Sequence, residues 1–146
     1  MPEPEIALCI TPTGRIVGWT IGNDLSSRDI EGENPLYLPQ AKVYDGACAL
    51  GPALVIADAP PPPETSIELR VMRSGAVVCE GRTTFSQMRR DPASLVEFLY
   101  RETSYPDGCF LLTGTGVVPE PDFALRPGDE IVIHVPPLGT LSNVVT

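Results

Sequence analysis

Histidine is almost missing: the chain has one in 146 residues, His134. That excludes a clustered-histidine metal centre and argues against a serine–histidine–aspartate triad. His134 lies inside the apolar run 131–135, where a structural role is expected. Lysine is as scarce, with Lys42 alone beside nine arginines. The four cysteines, Cys9, Cys48, Cys79 and Cys109, form no C-x-x-C pair. This spacing predicts buried free thiols and a cytoplasmic protein rather than a zinc ribbon or a disulfide scaffold. No apolar run approaches the ~18 residues of a membrane-spanning helix. The first residues lack a basic stretch followed by an apolar one, so no secretory leader is expected. Positive charge is also short: 10 Lys and Arg against 19 Asp and Glu, net −9. A surface of that sign disfavours nucleic acid and anionic membrane as partners.

What is present reads as one domain, residues 1–146, built mainly of strands. Residues 6–10 and 16–21 flank T-P-T-G and predict a hairpin. Residues 25–34 are polar and irregular, with room for a helical turn; 36–44 is a mixed segment leading to an apolar strand at 48–57. Four prolines at 60–63 mark a surface connector. Residues 66–72 and 76–84 alternate around R-S-G and predict a second hairpin. One main helix is expected at about 91–103, with Asp91 as N-cap, Pro92 as first residue and Leu95, Val96, Phe98 and Leu99 as its apolar stripe. A short buried strand at 109–113, a tight turn at 125–130, a strand at 131–135 and a last strand from 139 complete the pattern.

Side chains alternate faces along a strand, so Glu3 and Glu5 share one side. Read alone, E-x-E is equally a solvated terminus. The first hairpin, however, returns residues 20–24 alongside residues 3–7 and brings Asp24 to the same end. Three carboxylates without imidazole make a hard oxygen site, suited to Mg²⁺ and also to Mn²⁺ or Ca²⁺. Lys42, flanked by apolar residues, is either an ordinary surface lysine or, beside a metal and partly desolvated, a residue with a lowered pKa that works as a base or enolate stabiliser. Thr113 and Thr115, set among Gly114 and Gly116, form either a plain turn or a loop whose backbone can closely approach a small ligand.

Six blocks stand in order along nearly the whole chain: P-E-P-E (2–5), G-W-T-I-G-N-D-L-S-S-R-D (18–29), A-K-V-Y-D-G-A-C-A-L-G-P (41–52), L-L-T-G-T-G (111–116), L-R-P-G-D-E-I (125–131) and G-T-L-S-N-V-V (139–145). Together they resemble the fumarylacetoacetate hydrolase family. The runs 31–42 and 106–116 are most similar to its branch of 2-keto-3-deoxy sugar acid dehydratases. The resemblance implies a mixed β-sandwich roll of the C-terminal type. It implies Mg²⁺ on Glu3, Glu5 and Asp24, a catalytic Lys42 beside metal and substrate, and substrate contacts from Thr115, Ser26 and Arg28.

The implied chemistry is dehydration of a 2-keto-3-deoxy sugar acid such as 2-dehydro-3-deoxy-arabinonate. A 2-oxo acid chelates the ion through carboxylate and keto oxygens, C3 becomes acidic, and an enolate is stabilised. The same scaffold serves C–C hydrolysis of acylpyruvates or decarboxylation of oxaloacetate. Members of the family carry a further N-terminal portion before P-E-P-E, so a metal-binding core without turnover is a third expectation. The resemblance also implies a homodimer or higher homo-oligomer.

Overall fold

The computed structural model describes residues 1–146. Eight strands form two antiparallel four-stranded sheets. The first has the order β3-β2-β1-β6, built from β1 (Pro4–Ile10), β2 (Ile16–Asp24), β3 (Cys48–Ile56) and β6 (Cys109–Leu112). The second has the order β5-β4-β7-β8, from β4 (Ser66–Arg73), β5 (Ala76–Thr84), β7 (Glu130–Val135) and β8 (Gly139–Val144). The expected β-sandwich architecture is therefore present.

The core lies between the sheets. Ile6, Leu8 and Ile10 of β1 and Trp19 and Ile21 of β2 meet Leu69 and Val71 of β4 and Ile131, Ile133 and Val135 of β7. Each is an alternate residue of its strand, as a two-layer core requires. The opposite face of β1 thus carries Glu3, Glu5 and Ala7. Both hairpins form where turn chemistry places them. In the first, Gly14 takes φ 76°, Thr11 N donates to the Arg15 carbonyl at 2.9 Å and Arg15 N donates to the Thr11 hydroxyl at 3.1 Å. In the second, Ser74 and Gly75 both take positive φ, 52° and 80°, matching the type I′ turn that suits strand twist.

Several expectations are corrected. The main helix, α3 (Pro92–Tyr100), stops short of residues 101–103. Tyr100 donates to the Thr11 carbonyl at 2.8 Å, and the chain then turns so that Gly108 lies against the Ile10 carbonyl. Asp91 does cap α3, accepting from Ser94 N at 3.0 Å. Phe98 is not in its apolar stripe; it is 66% exposed, with the Arg101 guanidinium over its ring. The mixed segment 36–44 is helical, a 3-10 turn at Pro35–Tyr37 followed by α2 (Leu38–Lys42), while the polar stretch before it holds, as expected, a helical turn, α1 (Arg28–Glu33). The strand at 109–113 is not buried, because β6 is a sheet edge and Phe110 faces outward. The cysteines are unpaired, but Cys48 is exposed and the other three are half-buried. No helix is long and apolar enough to cross a membrane.

The turn before β7 is held by Asp129, which is buried and accepts from Arg73 Nε (2.8 Å) and Nη2 (2.7 Å) and from Arg126 N (2.8 Å). Chiefly through the Arg73 bond, its carboxyl is held down to about 2. A depressed carboxyl contributes stability that is complete above about pH 4 and lost as pH falls through about 2. Asp129→Asn should therefore lower the denaturation midpoint at pH 7 and flatten its fall between pH 4 and 2; an unchanged midpoint would count against this role.

Candidate metal centre

Glu3 and Glu5 stand two residues apart at the start of β1, on the face turned away from the core. Opposite them, β2 supplies Gly22 across from Glu5, and Asp24 N donates to the Glu3 carbonyl at 3.0 Å. A Cβ at Gly22 would press on Leu112 and Ala7, so the glycine lets β6 pack close to this face, and Asp24 ends the strand beside Glu3. One carboxylate oxygen from each of Glu3, Glu5 and Asp24 lies within 4.8 Å of the others. Glu3 and Glu5 are buried and Asp24 is half-buried.

Three carboxylates packed together and out of water oppose ionisation. Burial pushes Glu5 up to about 7; its bond from Gly114 N–H (2.5 Å) opposes that rise, and the nearby Asp24 and Glu3 add to it. This is an arrangement that a divalent cation relieves. The donors are all hard oxygens and the burial leaves them short of solvent, so the residues fit Mg²⁺.

Lys42 already brings positive charge to the group. As the last residue of α2, it extends its ammonium to Asp24 Oδ2 at 2.8 Å and to Glu3 Oε2. Burial acts against its charge, but the hydrogen bonds to Asp24 and Glu3 outweigh this and hold its pKa above the ordinary lysine range. With Glu3 and Asp24 as its partners, Lys42 stands as an ammonium and proton donor; a lowered pKa is the expectation beside a bound metal. Its context is a helix end, with a proline in the first turn and the cation in the last, a signal present in L-P-Q-A-K. Lys42→Met leaves Glu3 and Asp24 without their cation, at about 1–3 kcal/mol per group left unsatisfied. Thermal unfolding should drop without metal and recover with Mg²⁺; equal midpoints for the variant and the parent without metal would contradict the pairing.

The remaining sequence candidates sit around this cluster and not within it. Ser26 is buried with no partner for its hydroxyl. Arg28 donates to the carbonyls of Glu120 (2.7 Å) and Pro119 (2.9 Å) and touches the Met1 sulfur. Both line a cavity of about 680 Å³ together with Gln40 and Tyr44. Thr115 is turned into its own loop, its hydroxyl bonding Val117 N and O at 3.1 Å. Two contributors were not legible as such. The Gly114 amide on Glu5 is a backbone group with no side-chain signature, and Tyr44, whose hydroxyl donates to the Leu25 carbonyl (2.8 Å), fixes the segment after Asp24.

A family model described as fumarylacetoacetate (FAA) hydrolase C-terminal matches residues 13–146. The chain belongs to the fumarylacetoacetate hydrolase family. Among its relatives is the "Probable 2-keto-3-deoxyxylonate dehydratase" of Haloferax volcanii, 46% identical over 147 residues, which cover all of this chain and 50% of that protein. Another is the 2-dehydro-3-deoxy-D-arabinonate dehydratase of Saccharolobus solfataricus, 43% identical over 99% of this chain and 49% of that one. A solved structure of a 2-keto-3-deoxy-D-arabinonate dehydratase complexed with magnesium and 2,5-dioxopentanoate is 42% identical. It superposes with a TM-score of 0.96 over 100% of this chain and 52% of its own. This member of the family therefore spans about half the length of the curated relatives it matches.

Proposed function

We propose that this chain is the catalytic core of a Mg²⁺-dependent dehydratase of 2-keto-3-deoxy sugar acids. The observation that carries the reading is the convergence of Glu3, Glu5 and Asp24 on one point beside Lys42. The likeness to dehydratases at 46% and 43% identity supports the choice of reaction. Glu3, Glu5 and Asp24 would hold the ion. When bound, the ion polarises the 2-keto carbonyl and makes the C3 proton acidic.

The chain's own residues supply the rest. The Lys42 ammonium places positive charge and a proton beside the oxygen on which charge develops. Gly114 N–H holds Glu5 in place, and the loop around Thr115 offers backbone N–H groups to the substrate carboxylate. Arg28, bonded to the Pro119 and Glu120 carbonyls, holds the segment that follows Asp24, and the unpartnered Ser26 hydroxyl is left for the substrate. A proton leaves C3 and the C4 hydroxyl departs as water; a proton then moves from C5 to C3 and the resulting enol tautomerises to the 5-aldehyde, so atoms balance without a further reactant.

Incubation with Mg²⁺ and 2-keto-3-deoxy-arabinonate should yield a semialdehyde. Turnover of acylpyruvates or oxaloacetate alone would overturn the dehydratase reading in favour of the hydrolase or decarboxylase chemistry of the same scaffold. A metal-binding core without turnover is a second reading of the same three carboxylates. Calorimetric Mg²⁺ binding with neither substrate consumed would select it. Leu50, Leu54 and Ile56 leave apolar surface exposed on the edge strand β3, which supports self-association into a homodimer; sedimentation as a monomer would refute it.

A further inference from the structure

The single lysine of the chain sits against two of the three carboxylates that converge at the start of β1. Its ammonium lies 2.8 Å from Asp24 Oδ2 and also donates to Glu3 Oε2. Both residues belong to the cluster whose carboxylate oxygens come within 4.8 Å of one another. Glu5, the third member, takes the Gly114 N–H and makes no bond to Lys42. No other cation pairs with Glu3, Glu5 or Asp24. Lys42 is therefore the one counter-charge bonded to the cluster.

An ammonium and a divalent ion make competing demands on such a cluster. A hard ion of the Mg²⁺ kind draws carboxylate oxygens to about 2.0–2.1 Å around one point. An ammonium that spans Glu3 and Asp24 by hydrogen bonds stands between the same two side chains. Held there together, the two cations would be close neighbours in a partly buried site, where like charges repel more strongly than in water. Lys42 also has the means to leave. It is the last residue of the five-residue α2, and its side chain is 22% exposed. A flexible aliphatic stem can carry its head into water with no shift of the backbone.

We propose that the Lys42 ammonium is the place-holding cation of the metal-free cluster, and that a divalent ion binds Glu3 and Asp24 by exchange for it. Lys42 is then released towards the substrate only once the ion is in place. The inference rests on Glu3, Glu5 and Asp24 being the metal site; it does not depend on which reaction follows. It gives Lys42 a duty before any substrate arrives, because its pairing keeps two like charges together in the empty protein. It also sets an order, ion first and 2-oxo acid second.

Calorimetric Mg²⁺ titration of the parent and of K42M reads the competition. With the ammonium gone, K42M should bind Mg²⁺ at least about tenfold tighter. Should K42M prove too unstable without metal, K42Q, neutral but still able to donate a hydrogen bond, makes the same comparison. A fixed positive charge nearby would also weaken Mg²⁺ binding, so a second measurement follows Lys42 itself. Crystals of the parent soaked with Mg²⁺ alone should show Nζ beyond about 3.5 Å from the carboxylates of Glu3 and Asp24, out of hydrogen-bond reach. An Nζ still bonded to both carboxylates beside the bound ion would overturn the exchange and leave the metal site standing. So would an Mg²⁺ affinity in the variant equal to the parent's or weaker. Mg²⁺ binding by neither protein would remove the metal site and the exchange with it.

Discussion

Glu5→Gln should abolish measurable Mg²⁺ binding while making the metal-free protein more stable at neutral pH. The two effects have opposite signs because one carboxylate serves both. As a ligand, Glu5 supplies a third of the charge that holds the ion, and two remaining carboxylates hold a hard cation poorly. Losing an outer partner of a metal ligand already costs about 10–100-fold in affinity, so loss of a ligand itself should exceed that. As a buried acid, Glu5 is pushed up to about 7 from 4.5, first by burial and then by Asp24 and Glu3. Each pH unit of that displacement is worth about 1.4 kcal/mol, which makes ionised Glu5 a cost of about 3 kcal/mol to the folded chain at pH 7 and above. Glutamine keeps the shape and the acceptor for Gly114 N–H without the charge. Denaturant unfolding of both proteins with and without Mg²⁺ would display the crossing: the variant ahead without metal, the parent gaining with it. A variant that still bound Mg²⁺ like the parent would remove Glu5 from the site. Asp24→Asn should lose the ion in the same way.

The second large effect is on pH. A carboxyl whose folded pKa is raised contributes stability that is complete below its unfolded value and lost as pH rises through the folded one. The metal-free protein should therefore lose about 3 kcal/mol of stability between about pH 4.5 and 7 from Glu5 alone, a trend that Glu5→Gln removes. Mg²⁺ needs the carboxylate form, so its binding below pH 7 must expel a proton, and its affinity should climb with pH and level off above about 7. Titrations in two buffers of different ionisation enthalpy at pH 6 would count that proton. Zero release at pH 6, with affinity flat from pH 5.5 to 8, would show that Glu5 is already ionised or takes no part.

The sequence made the carboxylate site legible because its geometry follows from two periodicities. Strand alternation put Glu3 and Glu5 on one face, and a tight T-P-T-G turn fixed how far back Asp24 had to return. The same reasoning placed both hairpins, the N-cap of α3 and the two-layer core. It failed where tertiary context decides. L-P-Q-A-K reads as mixed until its proline and lysine are seen as the two ends of a short helix. Phe98 keeps helical spacing yet faces solvent, since α3 has room to bury little more than Val96 and Leu99. Cys48 lies in an apolar run, but on an edge strand. The charge state of Lys42 depends on Glu3 and Asp24, which lie 39 and 18 residues away in sequence.

The most direct test is a crystal of this chain soaked with Mg²⁺ and pyruvate, a minimal 2-oxo acid. The account predicts a single ion bonded to the carboxylates of Glu3, Glu5 and Asp24, with the keto and carboxylate oxygens of pyruvate on its open side and Lys42 close by. An ion bound elsewhere, or a pyruvate seated away from these three side chains, would contradict it.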